Sequence, residues 1–153
     1  MHAVSLALVR PIALLVLLAP GDARPGVEFT EDSLEVVLKN VAAERAVLVD
    51  VRSQEEWDRG HVAGAVFLPV TSLRKHSLDV KKLAKTLPKK KVLYTYCAVG
   101  MRAKAAAAIL QAHGYSVRPL KPGYEALLAA GFRKDERKPA QPPTPPTDRD
   151  NSR

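Results

Sequence analysis

The run Val92-Leu93-Tyr94-Thr95-Tyr96 is short, β-branched and aromatic. It leads through Cys97-Ala98-Val99-Gly100 into residues 102–112, a stretch of strong helix formers with no Gly or Pro. This junction constrains the fold more than any other feature, because it reads as a buried strand delivered straight into a helix. The chain's one cysteine, Cys97, stands in the turn. Backbone N–H groups at the start of a helix lack intrahelical partners and lie at the positive end of its dipole. A thiolate should therefore be stabilised there, and anions should be drawn to the same place.

The remainder of the chain repeats the alternation. Thr30-Glu31-Asp32-Ser33 offers N-caps and early acidic residues, and Leu34, Val37, Leu38 and Val41 recur at helical spacing, so a helix should run to about residue 44. Residues 46–51 form an apolar run without alternation, the mark of a central parallel strand covered on both faces. Ser53 and Glu56 form a capping box for a short helix that Gly60 should stop. A strand over 65–68 should end at Pro69, followed by a loop, a helix over 78–86 stopped by Pro88, and the strand that reaches Cys97. After the next helix, Gly114 fits a C-terminal cap, 116–120 a further strand, Pro122-Gly123 a turn, and 124–130 a last helix capped by Gly131. Alternating strands and helices imply an α/β domain: a mostly parallel sheet, helices on both faces and right-handed crossovers.

At 153 residues the chain has room for one core. Its 24 basic and 16 acidic residues give a net charge of +8, but the basic residues are scattered. The densest group, Lys81, Lys82, Lys85, Lys89, Lys90 and Lys91, falls at the end of an α/β sheet opposite the ligand crevice and reads as a solvated face. Few aromatics and no nucleic-acid motif place DNA or RNA low among partners. A single cysteine excludes an internal disulfide and a thiolate zinc cluster, though an exposed lone thiol would leave pairing between chains open.

The two ends differ in character. Arg10, the apolar run 12–19 and the small residues Pro20-Gly21-Asp22-Ala23 match a secretory signal cleaved after Ala23. The run is short for a bilayer, and Arg10 and Pro11 interrupt any longer one, so an uncleaved anchor is the weaker reading. The expected organisation is a signal peptide over 1–23, a linker over 24–29, a domain over 30–135 and a Pro-rich, charged tail over 136–153. The expected location is outside the cytoplasm, periplasmic or secreted, with no stable membrane insertion after cleavage.

Several separated motifs point to one family. Leu48-Val49-Asp50-Val51-Arg52, then Glu56-Trp57, then Gly60-His61-Val62-Ala63-Gly64-Ala65 with Leu68-Pro69, resemble the first half of a rhodanese-like domain. Cys97-Ala98-Val99-Gly100-Met101-Arg102 resembles that family's active-site loop, and Gly123-Tyr124 with Ala130-Gly131-Phe132 its closing segment. The resemblance implies a five-stranded parallel sheet and a sulfurtransferase that carries sulfur as a persulfide on Cys97. Donors would be a small sulfur-containing anion or a persulfide; acceptors would be a thiol, including one on a protein, or cyanide. No metal or organic cofactor is called for. Ala98, Val99, Gly100 and Met101 would bind substrate through a nest of backbone N–H groups, and Arg102 would add a planar cation. Many family members place Arg directly after the catalytic cysteine. Here Ala98 stands there, which leaves the loop one cation, counts against thiosulfate as donor and suits a less charged one.

Each of these residues also has a plainer reading. Cys97 could be a small core hydrophobe. Arg102 could be an exposed first-turn residue, although a helix N-terminus does not favour a cation, and that mismatch points to an anion nearby. His61 reads as a structural corner rather than a general base. Arg52 is expected to pair with Glu55 or Glu56, Trp57 to be a core aromatic, and Tyr94 and Tyr96 to pack beside the strand. Two rival functions remain: a rhodanese-like module that senses sulfur or binds proteins without catalysis, and, further off, a cysteine phosphatase or arsenate reductase. The phosphatase cradle is one residue longer than the interval between Cys97 and Arg102.

Overall fold

A computed structural model describes residues 26–75 and 78–136; the expected signal peptide and all of the tail beyond Glu136 lie outside them. Four parallel strands, β1 (Ala46–Asp50), β2 (Val66–Phe67), β3 (Val92–Tyr96) and β4 (Val117–Pro119), form a sheet in the order β2-β1-β3-β4. Ala46 lies beside Val92 and Asp50 beside Tyr96, so the two central strands begin and end level. The chain leaves β1 toward one side and crosses to β3 on the other. The crevice of such a sheet opens where the order reverses, beyond the C-terminal ends of β1 and β3.

Six helices complete the domain among the described residues: α1 (Leu34–Ala42), α2 (Gln54–Arg59), α3 (Val70–Leu73), α4 (Val80–Thr86), α5 (Met101–Ala112) and α6 (Tyr124–Ala129). The capping box of α2 has both bonds, Glu56 N to Ser53 Oγ at 3.3 Å and Ser53 N to Glu56 Oε2 at 3.0 Å. Gly60, Gly114 and Gly131 follow α2, α5 and α6 with positive φ, where glycine carries no side-chain penalty. Alternate residues of the strands serve two cores. Val49, Val51 and Leu93 pack with Val70, Leu83, Ala106 and Leu110 on one face; Leu48, Tyr94 and Tyr96 pack with Val37, Leu120 and Leu127 on the other.

The structure departs from expectation in four places. The sheet has four strands among the described residues, not five. Leu93 N donates to Ser116 O and Leu120 N to Thr95 O, so even-numbered residues of β4 face β3 and Pro119 faces the outer edge. Proline has no N–H to offer there, and the segment before α1 reaches that edge through Thr30 N donating to Pro119 O at 2.9 Å. Helix α3, expected as a loop, is too short to carry a periodicity. Its Val70 and Leu73 are nonetheless buried.

Trp57 belongs to neither core. It is half-buried, stacked on His61 with ring centroids 3.4 Å apart. That stack, a 3.1 Å contact from His61 Nδ1 to Trp57 O and a 3.4 Å contact from Nε2 to Asp135 make His61 the corner that ties residues 133–135 back to the domain. Arg52 pairs with Asp50 rather than with Glu55 or Glu56. Its Nε lies 3.0 Å from both carboxylate oxygens and its Nη2 2.7 Å from Oδ2 and from Gly60 O. Two residues apart at a strand end, Asp50 and Arg52 project to the same side, which is a shorter reach than across the turn to α2.

Both groups are buried, Arg52 at 5% exposure and Asp50 at 0%. Removing one partner leaves the other's charge without water or counter-ion. Asp50→Ala should therefore destabilise the fold by about 3–5 kcal/mol, read from urea denaturation.

Candidate active site

Cys97 follows the last residue of β3, and α5 begins at Met101, so the intervening residues form a loop at the crevice. The thiol is not exposed: Cys97 is 0% accessible, and one side of it packs in the core that contains Ala103 and Ala106. Its enclosure is polar on another side. Gly100 N donates to Cys97 Sγ at 3.1 Å, and no side chain caps the start of α5. Thr95 Oγ1 donates to Ala103 O at 3.0 Å and fastens the strand to the helix across the loop.

Two glycines set the loop's shape. Gly100 has φ of 86°, and a Cβ on it would lie 3.0 Å from Lys121 O and from the Phe29 ring. Gly123 comes from the opposite wall, where a Cβ would fall 1.8 Å from Ala98 O. Tyr124 N donates to Cys97 O at 3.0 Å, so residues 121–124 clasp the loop from outside. Ala98, Val99 and Met101 are exposed, Val99 at 74% and Met101 at 67%; Gly100 is buried.

Arg102 sits in the first turn of α5 as expected, part-exposed yet not as a free cation. Its Nη1 donates to Glu56 Oε2 at 2.5 Å and its Nη2 to Glu56 Oε1 at 2.8 Å, a two-pronged pair between α5 and α2. The anion that the cation's position called for is the protein's own. Arg102's hydrogen bonds, more than any other influence, hold the Glu56 carboxyl down to about 2 against the opposing effect of burial. Glu56 in turn raises Arg102, with a smaller contribution from Cys97.

A pocket of about 370 Å³ opens beside the loop, lined by Arg52, Glu56, Arg59, Gly60, Ala98, Tyr124, Glu125 and Lys134. Arg52 forms its floor, held by Asp50 and lying 4.2 Å beneath the Tyr124 ring centroid. From the sequence, Glu56 is a helix cap and a candidate partner for Arg52, and Gly123 a turn residue at the start of the closing segment; neither is expected to shape the Cys97 loop. The capping box already accounted for Glu56, which hid its second partner 46 residues away.

A family model described as Rhodanese-like domain matches residues 33–130. The chain belongs to the rhodanese-like family. A curated relative, tRNA uridine(34) hydroxylase of Bacillus mycoides, is 33% identical over 116 residues; the match takes in 74% of this chain but 36% of that protein, so the chain spans about a third of its length. Among solved structures, the human single-domain sulfurtransferase TSTD1 is similar with a TM-score of 0.52 and 25% identity, over 64% of this chain and 94% of that one. The BH2092 protein of Bacillus halodurans gives a TM-score of 0.57 and 25% identity, over 69% and 75% of the two chains. A rhodanese-related protein from Thermoplasma volcanium shares the fold, with a TM-score of 0.54 at 22% identity over 67% and 93%.

In this rhodanese-like domain the Glu56–Arg102 pair also couples stability to pH. The Glu56 carboxyl is depressed from 4.5 to about 2 in the folded chain, so its contribution is fully present above 4.5 and is lost as pH falls toward 2. The melting temperature should fall through that window. Glu56→Gln should remove part of the fall, worth about 1 kcal/mol for a pair that solvent partly screens.

Proposed function

We propose that this chain is a sulfurtransferase that moves a sulfane sulfur from an anionic or persulfide donor to a thiol or cyanide by way of a persulfide on Cys97. The observation that carries this reading is the Cys97 sulfur at the mouth of α5, receiving the Gly100 N–H at 3.1 Å, with Arg102 in the first turn of the same helix. A thiolate is a soft nucleophile, and the persulfide it forms is anionic, so fixed N–H donors and a cation stabilise both the incoming and the outgoing charge. In the first step Cys97 attacks the donor's outer sulfur. A new S–S bond forms, the donor's S–S bond breaks, and the leaving group departs with the electron pair. In the second step the acceptor attacks the outer sulfur of the persulfide and Cys97 leaves as thiolate.

Substrate contact falls to the Ala98 to Met101 loop and to Arg102 in this reading. The short interval between Cys97 and Arg102, and the commitment of both Arg102 Nη atoms to Glu56, speak against a phosphate cradle. The complete burial of the thiol favours one other reading, a non-catalytic module that senses sulfur or binds proteins.

Incubation with thiosulfate or an alkyl persulfide should add one sulfur to the wild-type chain, seen by intact mass and removed by cyanide. Cys97→Ser should abolish the addition. Arg102→Ala should slow transfer from thiosulfate by about tenfold or more, because Glu56 is then left as an unpaired carboxylate beside an anionic donor. No sulfur uptake, together with a specific partner recovered by pull-down, would favour the module instead.

We also propose that the protein is exported and that residues 1–23 are removed. N-terminal sequencing of the secreted or periplasmic protein should then begin at or near Arg24.

A further inference from the structure

Arg102 is the one cation among residues 98–102, and it reaches Glu56 with both terminal nitrogens. Glu56 is held in turn: its Oε2 also accepts the Ser53 N–H at 3.0 Å, so the carboxylate is fixed from α2 before it meets α5. The pair therefore contributes almost no net charge to the pocket. Arg52, the other cation against the loop, is neutralised by Asp50. Arg59, Lys134 and Glu125 remain on the lining, a single positive charge in excess for an incoming donor.

We infer that Glu56 is a specificity-determining residue: itself on the lining of the pocket that Ala98 opens beside the Cys97 loop, it cancels the charge of Arg102 and turns that pocket away from dianionic donors such as thiosulfate and toward singly charged or neutral ones such as an alkyl persulfide. This rests on the sulfurtransferase reading and names its donor class. With thiosulfate, attack by Cys97 on the outer sulfur must release sulfite, which takes the electron pair and both negative charges into a pocket that faces Glu56. With an alkyl persulfide, R–S–SH, attack on the terminal sulfur releases R–S⁻ with the electron pair, and the proton stays on the new Cys97 persulfide until it passes to water. The second path places one charge fewer beside the Glu56 carboxylate. At such distances in a half-buried site, one charge changes binding by on the order of tenfold.

Glu56→Gln tests this directly, because glutamine keeps an oxygen for the Ser53 N–H and loses the charge. The ratio of kcat/KM for thiosulfate to kcat/KM for 2-hydroxyethyl persulfide should rise about tenfold over wild type, mostly through a lower KM for thiosulfate. Ser53→Ala, which damages the same helix cap and leaves Arg102 paired, should not move the ratio. An unchanged or lower ratio in Glu56→Gln, or an equal rise in Ser53→Ala, would overturn the inference. Calorimetry separates it from the proposed activity: thiosulfate should bind Cys97→Ser/Glu56→Gln about tenfold more tightly than Cys97→Ser. Equal affinities would overturn it too. If wild type takes sulfur from neither donor, the sulfurtransferase reading fails and this binding comparison alone decides whether Glu56 repels the dianion.

Discussion

The in-register pairing of β1 with β3 is the constraint on which the remaining geometry depends. Because Asp50 lies beside Tyr96, the residues that follow each strand emerge at one level on neighbouring tracks. That brings Cys97, two residues of the Asp50–Arg52 pair and the start of α2 around a single crevice. The alternation along these strands also decides which face each residue serves. Tyr94 and Tyr96 point to the α1 and α6 side, while Leu93 and Cys97 point to the α5 side, so the thiol is buried because its parity puts it in a core. Slipping β3 by one residue would exchange those faces and carry the sulfur away from the head of α5.

What the amino-acid sequence discloses is mostly what repeats over a few residues. The capping box at Ser53 and Glu56, the glycines that end helices and the apolar runs of β1 and β3 all leave local signatures, and each stands where it was expected. The opposite holds for contacts between distant segments. Nothing in the residues around Glu56 marks its pairing with Arg102, and nothing near Gly123 announces that Ala98 O will come within 1.8 Å of where a Cβ would sit. Arg52 illustrates the middle ground: its ion pair was foreseen, but its partner is the carboxylate two residues back rather than one on the next helix. That the described residues form four strands rather than five has a local cause after all. Pro119 on the outward side of β4 removes a donor from the edge, which a strand-by-strand reading passes over because proline there does not interrupt β4 itself.

Enclosure of the sulfur and neutralisation of the cation are linked. Where water reaches only part of a site, charge is met by fixed partners as well as by solvent, and both the buried sulfur and the part-exposed Arg102 guanidinium have one. Glu56 makes Arg102 tolerable there, and the capping bond from Ser53 makes Glu56 rigid enough to do so. The same bonds limit how much positive potential Arg102 has left for anything entering the pocket. Geometry and charge selectivity are therefore not independent features of this crevice. A chain that freed its arginine to grip a dianion would have to find another counter-ion for it in the resting state, or leave it to solvent and give up the fixed orientation that Glu56 imposes. With Ala98 following the cysteine, the loop has no second cation to share that task, and the paired arrangement leaves its one arginine turned to Glu56 rather than to an incoming dianion.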